Sequence, residues 1–457
     1  MTLGAVIAVV LILMLALLLL RVPVAVSLGV AGAIGLLLLR GFNHTTLELG
    51  AIPFSQTATF SLTIIPMFIL MGMFAVRAHV AEYVFKIADR ALGRFPGGLG
   101  IATVAASAGF SAVSGSSIGT AATMARLSVG EMRAAGYPAS MATALVAVAG
   151  TLGSMIPPST FLVLYAILAQ VSVAEMLAAG IVPGAISAIA YALWIMFAGW
   201  RMQQKGQIVS EATSVKDALG QATDIATQQK EQTPLSKLPW RGLVYVVILF
   251  AIVLGGMYSG IFTATESAAF GAIAAVLILL FELRKEGWKG IAAGIKGALE
   301  STASTTAMVF FIVIGSGILT AFFIAARVPN MITDAVLSWN MSPTMVMLIL
   351  LLSLVPLGMV LESLSLLMIS VPLLLPVALE FGFDPIWLGI LIVKFIEIGM
   401  VTPPVGINAF VVAGTTGIRS ETVFRGIMPF FLIDLVLIGI FFFIPDIILF
   451  LPSLVQH

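Results

Sequence analysis

The chain has no cysteine among its 457 residues. Disulfides, thiol nucleophiles and thiolate metal sites are thereby excluded. Histidine is almost as scarce: His44, His79 and His457 stand far apart and show no ligand spacing. Charge is the third scarcity. Asp, Glu, Lys and Arg make up 9% of the residues, where a soluble domain carries about 25%. A net charge of +1 gives no electrostatic footprint for a nucleic-acid partner.

What remains is apolar. Hydrophobic residues make up 60% and the mean hydropathy is +1.14, so the chain is an all-α polytopic membrane protein. The N-terminus opens into an apolar run ending at Leu20. Arg21-Val22-Pro23 follows in place of a small-residue cleavage site, so the run is expected to be a retained span rather than a signal peptide. Segments near spanning length fall at 3–20, 22–39, 61–77, 139–170, 178–200, 241–258, 261–283, 302–325, 385–416 and 423–452. Stretches 41–60, 79–95 and 284–300 mix charges with apolar residues and are expected to be interfacial helices. The polar run from Met202 to Trp240 is the one soluble linker.

Two further apolar stretches, 97–132 and 343–380, have polar centres. One carries Ser114-Gly115-Ser116-Ser117, the other Gly358-Met359-Val360-Leu361-Glu362-Ser363. Each is expected to be a re-entrant hairpin, whose non-helical tip must be surrounded by protein or line a wet cavity.

One short pattern occurs twice. Gly153-Ser154-Met155-Ile156-Pro157-Pro158 is followed 246 residues later by Gly399-Met400-Val401-Thr402-Pro403-Pro404. The same offset superposes Glu175 on Glu421, Pro183 on Pro429, and Gly115-Ser116-Ser117 on Leu361-Glu362-Ser363. Proline lacks an N–H and clashes with the carbonyl four residues back. Two in succession break a helix and free the carbonyls of Gly153, Ser154, Gly399 and Met400. Paired broken helices in two repeats point to the central site of a secondary transporter.

Charge placement gives the sidedness. If each long segment crosses once and each hairpin not at all, one side receives most of the 22 Lys and Arg. The other receives only Arg40 and Arg327, and Lys394 stays within a span. The crowded side is then cytoplasmic, and both termini are expected in the periplasm. Five crossings in each half make the repeats inverted.

Carbonyl and hydroxyl oxygens around the breaks suit a hard cation, and half-helix N-termini suit an anionic group. Sodium at the loops and a carboxylate between the tips are the expected occupants. Lys394 and Glu397 share a span three residues apart. They read as a mutually neutralising pair, with a gating or proton-coupled role as the alternative. Glu362 at the second tip has no local partner. It is read as a structural hydrogen-bond acceptor, with ligand contact or surface exposure as alternatives. Glu266 is expected to cap its helix. An intramembrane enzyme would need a nucleophile with a base, or paired carboxylates. None is present at a matching position, so no enzymatic activity is expected. A channel would show a pore-lining charge pattern, which is absent.

Three motifs in order carry a family likeness. They are Gly109-Phe110-Ser111-Ala112-Val113-Ser114-Gly115-Ser116-Ser117, Gly150-Thr151-Leu152-Gly153 with Ile156-Pro157-Pro158-Ser159, and Glu397-Ile398-Gly399 with Thr402-Pro403-Pro404-Val405-Gly406. Together they resemble the large membrane (M) subunit of tripartite ATP-independent periplasmic (TRAP) transporters over nearly the whole chain. Ala264 departs from the family pattern, which often has proline there. The N-terminal helices of fused small and large subunits are also not seen.

The resemblance implies a sodium-driven elevator in the bacterial inner membrane that imports an organic acid of the C4-dicarboxylate, keto acid or sugar acid class. It implies two partners: a small membrane (Q) subunit and a periplasmic substrate-binding protein. A stand-alone carboxylate carrier of the same architecture is the alternative. By resemblance, one sodium site uses Ser111, Ser114, Gly153, Ile156 and Pro158, and a second uses Gly358, Gly399, Thr402 and Val405. Only Gly153 and Gly399 also follow from the freed carbonyls. Ser116, Ser117, Glu362, Ser363 and Asn408 are substrate-contact candidates by position. The domains expected are scaffold helices and interfacial arm at 1–96, a first transport half at 97–177, a scaffold helix at 178–201 and the cytoplasmic linker at 202–240. Second-repeat scaffold and arm follow at 241–341, a second transport half at 342–416, and a last scaffold helix at 417–457.

Overall fold

The computed structural model describes residues 2–20, 22–93, 95–204, 238–338, 341–359 and 361–455. Most of the expected linker at 202–240 lies outside the described residues. The described residues form helices and short turns, with no strand among them.

The first half contains α1 (Leu3–Leu19), α2 (Val24–Arg40), α3 (Phe42–Thr57), α4 (Ile64–Arg77), α5 (Val80–Leu92), α6 (Gly98–Ser114), α7 (Ser117–Ala134), α8 (Ala139–Met155), α9 (Thr160–Ala169) and α10 (Val173–Gln204). The second half begins with α11 (Arg241–Phe250), which runs through a π-helical turn at Ala251–Gly255, and α12 (Ala264–Leu283). It continues with α13 (Gly287–Ala325), α14 (Val328–Ser338), α15 (Pro343–Leu352), α16 (Leu354–Gly358), α17 (Ser363–Glu380), α18 (Pro385–Val401), α19 (Ile407–Thr416), α20 (Ser420–Phe443) and α21 (Asp446–Val455).

Local chemistry sets several of these ends. Asp384 accepts from the Ile386 and Trp387 amides at 2.7 and 3.1 Å, and Pro385 takes the first helical position of α18. That is a favoured helix start. At α12, Thr263 and Glu266 form the reciprocal capping box, which is the capping role expected of Glu266.

The 246-residue offset governs the whole architecture. Helices α7 and α17 start and end at matched positions, and so do α8 and α18. Gly136 and Gly382, in the turns that lead into α8 and α18, are both left-handed, at φ 86° and 75°. Packing is exchanged between repeats. Helix α17 rests on α9, while α19 rests on α7 and α8. Helix α2 pairs with α13 just as α4 pairs with α12.

The core is built around the first arms of the two broken helices. Every residue from Ala142 to Met155 of α8 is buried, as is every residue from Ile386 to Val401 of α18. Such helices are predominantly apolar on every face, as buried spans are. A smaller cluster joins Val10 of α1 and Leu28, Ala31 and Leu36 of α2 to Leu319 and Phe322 of α13. Helices α10 and α20 pack on α6, α8, α9 and α18.

Four features differ from the sequence reading. The stretch at 284–300 is not a separate interfacial helix. From Gly287 it continues without a break into the span that ends at Ala325. The segment at 423–452 is not one span. Helix α20 ends at Phe443, and Pro445, with no N–H to continue the ladder, separates it from α21. The first arm of the second hairpin is divided at Ser353 into α15 and α16. Helix α14 matches α5 in the first repeat and has no counterpart in the sequence reading.

Candidate functional site

The first hairpin turns at Gly115, which adopts φ 58° after α6. Ser116 then caps α7 by accepting from the Gly119 amide at 3.2 Å. The Ser114 and Thr120 hydroxyls are bonded at 2.8 Å across the turn. The first break follows Met155. Ile156 is extended, the Pro157-Pro158 bond is cis, and Ser159 caps α9. Helices α8 and α9 meet at a 41° bend.

Tip and break are in contact. Thr160 donates to the Gly115 carbonyl at 2.9 Å. A Cβ at Gly153 would lie 2.8 Å from the Ser116 carbonyl oxygen. Only glycine permits that approach between two backbones.

The second tip and break repeat the arrangement. Glu362 caps α17, accepting from the Ser365 amide at 3.1 Å and its hydroxyl at 3.2 Å. This is the structural acceptor role expected of it. The second break begins at Thr402, which is extended, and ends at left-handed Gly406 before α19. Gly399 sits directly on Gly358 of the second hairpin.

The four carbonyls freed by the prolines have different fates. Ser154 oxygen accepts from the Ser159 hydroxyl at 2.5 Å. Gly399 oxygen accepts from the Thr402 amide at 3.1 Å. Four residues after Gly153 and Met400 stand Pro157 and Pro404, neither of which has an amide to offer their carbonyls.

The donor set fits a small hard cation at the first loop. Ser111 hydroxyl oxygen is buried and has no hydrogen-bond partner. A buried polar atom without a partner calls for an explanation, and oxygen ligation is one that its position beside the first tip allows. At the second loop, the Thr402 hydroxyl donates to the Ile398 carbonyl at 2.6 Å. Its lone pairs remain available to a cation.

The loops differ in exposure. Pro157, Pro158 and Ser159 are buried, whereas Pro403, Pro404 and Val405 are exposed. Among the substrate candidates, Ser116 and Glu362 are half-buried at the tips, and Ser117, Ser363 and Asn408 are buried. Asn408 donates to the Ala147 carbonyl at 3.4 Å, and its side-chain oxygen has no partner. The residue therefore ties α19 to α8 and leaves one acceptor free.

The intramembrane ions form a larger group than Lys394 and Glu397. Lys394 lies 2.8 Å from Asp434 of α20 and 3.9 Å from Glu397. Tyr191 of α10 donates to Asp434 at 2.6 Å. The expected neutralising pair is thus mainly Lys394 with Asp434. Glu397 instead accepts from Ser154 of the first broken helix. The Ser154 and Ser117 hydroxyls are bonded at 2.8 Å. Asp434 was not among the residues read from the sequence, and Ser154 was read there only for its freed carbonyl, not for its hydroxyl. Asp434 had a signal: it is a lone acid in an apolar span, which demands a partner.

Comparisons with known proteins agree with this layout. Residues 11–447 match the family described as tripartite ATP-independent periplasmic transporter, DctM component. The chain is 33% identical over 428 residues to the C4-dicarboxylate TRAP transporter large permease protein DctM of Pseudomonas aeruginosa, covering 93% of this chain and 94% of that one. It is 32% identical to the protein of the same name from Vibrio cholerae, covering 95% of each. It is 30% identical to the sialic acid TRAP transporter large permease protein SiaM of Vibrio cholerae, over 86% of this chain and 87% of that one. Among solved structures, the fold is similar to the YdaH transporter of Alcanivorax borkumensis, with a TM-score of 0.58 at 13% identity and 88% of each chain covered.

Proposed function

The chain belongs to the DctM component family of tripartite ATP-independent periplasmic transporters, and from that premise we propose that it is the sodium-coupled permease subunit importing an organic acid. The observation that carries the proposal is the pairing of each hairpin tip with a helix break in both repeats. Each pairing gathers backbone carbonyls and hydroxyls at one point. Sodium at the first loop would draw on Ser111, Ser114, Gly153, Ile156 and Pro158. At the second it would draw on Gly358, Gly399, Thr402 and Val405. Ser116, Ser117, Glu362, Ser363 and Asn408 are the proposed substrate contacts, by their positions at the tips and just after the second break.

The relatives support a carboxylate as the solute: two are named for C4-dicarboxylates and one for sialic acid. Movement is proposed to be of the elevator type. The hairpins and broken helices form the moving body, and α1 to α4 with α12 and α13 form the scaffold. Helices α10 and α20, which the sequence reading gave to the scaffold at 178–201 and 417–457, pack on the hairpins and broken helices and are here proposed to travel with them instead. The charge distribution supports a periplasmic position for both termini.

A tripartite family implies a small membrane (Q) subunit and a periplasmic binding protein as partners. Reconstitution tests this directly. The chain alone, and the chain with only the binding protein, are expected to give negligible uptake, while all three together give robust uptake. Robust uptake by the purified single chain would instead favour a stand-alone carrier.

A further inference from the structure

We propose that Glu397 is a positioning residue that ties the two helix breaks together, so that the cations at the two loops bind cooperatively. The inference rests on the sodium-coupled reading above.

Three observations carry it. The first is charge. Lys394 and Asp434, 2.8 Å apart, are already a neutral buried pair, with Tyr191 completing the carboxylate's bonds. Glu397 is an additional buried carboxylate. Its distance of 3.9 Å from Lys394 is too long for a hydrogen bond. Burying such a group is costly unless it is well bonded.

The second is the direction of its bond. Glu397 accepts from Ser154, which lies on the other broken helix. The Ser154 hydroxyl is placed to donate to the Thr151 carbonyl at 3.0 Å as well as to Glu397. When its single proton goes to the carboxylate, Ser117 is the donor in the Ser117–Ser154 bond. A continuous chain thus runs from α18 through α8 to the start of α7 at the first tip. Ser154 is next to Gly153 and Glu397 is two residues before Gly399, so each end adjoins a proposed ligand.

The third is asymmetry. At the 246-residue offset, Glu397 corresponds to Thr151 and Ser154 to Met400. Ser363 correspondingly contacts the Met400 sulfur, at 2.6 Å. The second repeat therefore reproduces the tip-to-helix contact without the carboxylate. The tie occurs once, between repeats, as a coupling element requires. A cation that draws the Gly153 carbonyl inward displaces Ser154, and the tie transmits that shift to α18. Coupling of this kind is a difference in binding free energy and is reciprocal between sites.

The test is a sodium titration of uptake in vesicles that contain the full three-component system. The unsubstituted protein is expected to give a Hill coefficient approaching about 2, the upper bound for two sites. Glu397→Leu and Ser154→Ala should lower it to about 1 and raise the half-saturating sodium concentration by about five-fold or more. Glu397→Gln, whose amide oxygen still accepts from Ser154, should keep the higher coefficient. Ser154→Ala removes one hydroxyl and no charge, so it keeps the test available if Glu397→Leu fails to fold. A merely structural role would lower the amount of folded protein and leave the coefficient of the remainder unchanged. That result overturns the tie, as does a non-cooperative unsubstituted protein or a Glu397→Gln variant that behaves like Glu397→Leu. Uptake that ignores sodium altogether refutes the coupling reading itself.

Discussion

Gly399 of α18 lies against Gly358 at the end of α16. A Cβ at Gly399 would stand 2.7 Å from the Gly358 Cα. Both contacting groups are backbone, so neither can rotate away. Gly399→Ala should push the second hairpin off the second break and cost about 1–3 kcal/mol, as overpacking does. The expected outcome is a protein that inserts normally and has lost most of its uptake. Unchanged uptake would show that the hairpin and the break are not held in register.

Thr402 is expected to lose function more selectively. Its hydroxyl proton is committed to the Ile398 carbonyl, and the oxygen beside Pro403 is what a cation would use. Thr402→Val keeps the shape and removes the oxygen, so sodium affinity should fall while membrane insertion stays normal. Thr402→Ser should retain it. A Thr402→Val protein with the original sodium dependence would remove this side chain from the ligand set.

Asp434 should matter for stability above all. Asp434→Ala leaves the Lys394 ammonium buried beside a distant carboxylate, and breaking a buried pair typically costs about 3–5 kcal/mol. A drop in the thermal midpoint of the detergent-solubilised protein is expected, with Asp434→Asn intermediate. In a chain of this length a loss of about 3–5 kcal/mol should lower the midpoint by about 3–5 °C, so an unshifted midpoint would contradict the pairing.

A second polar cluster, on the side expected to be cytoplasmic, allows a comparison of two partners. Glu282 of α12 accepts from Tyr83 of α5 at 2.8 Å and from Tyr245 of α11 at 2.6 Å, with Arg241 at 3.3 Å. The Glu282 side chain is 3% exposed and that of Arg241 is 47% exposed. Glu282→Ala leaves two phenol groups without their acceptor and should cost about 1–3 kcal/mol. Arg241→Ala removes a largely solvated charge and should cost about 1 kcal/mol or less. Equal losses on thermal unfolding would refute this ordering.

The sequence showed the repeat, the two hairpins and the two breaks because each has a strong local cause. Pro157-Pro158 and Pro403-Pro404 cannot continue a helix, and Gly115 can make a turn that other residues resist. The broken helix expected at 139–170 is observed as α8 and α9, and that at 385–416 as α18 and α19. Features that depend on tertiary contact were hidden. Nothing local to Lys394 indicates that Asp434, 40 residues on, lies closer than Glu397. The bond from Glu397 to Ser154 spans 243 residues and joins two helices that are buried on every side. Periodicity carries no facing information for such helices. The continuity of α13 was masked by charges at Lys289 and Lys296, which suggested an interface where the helix continues into a span.

Sodium dependence is the measurement closest to the centre of the account. The chain, its small membrane subunit and its binding protein are reconstituted together, and uptake of the acid bound by that binding protein is followed. An inward sodium gradient should drive accumulation, and its collapse should abolish it. Accumulation driven equally well by a proton gradient in sodium-free buffer would contradict the account.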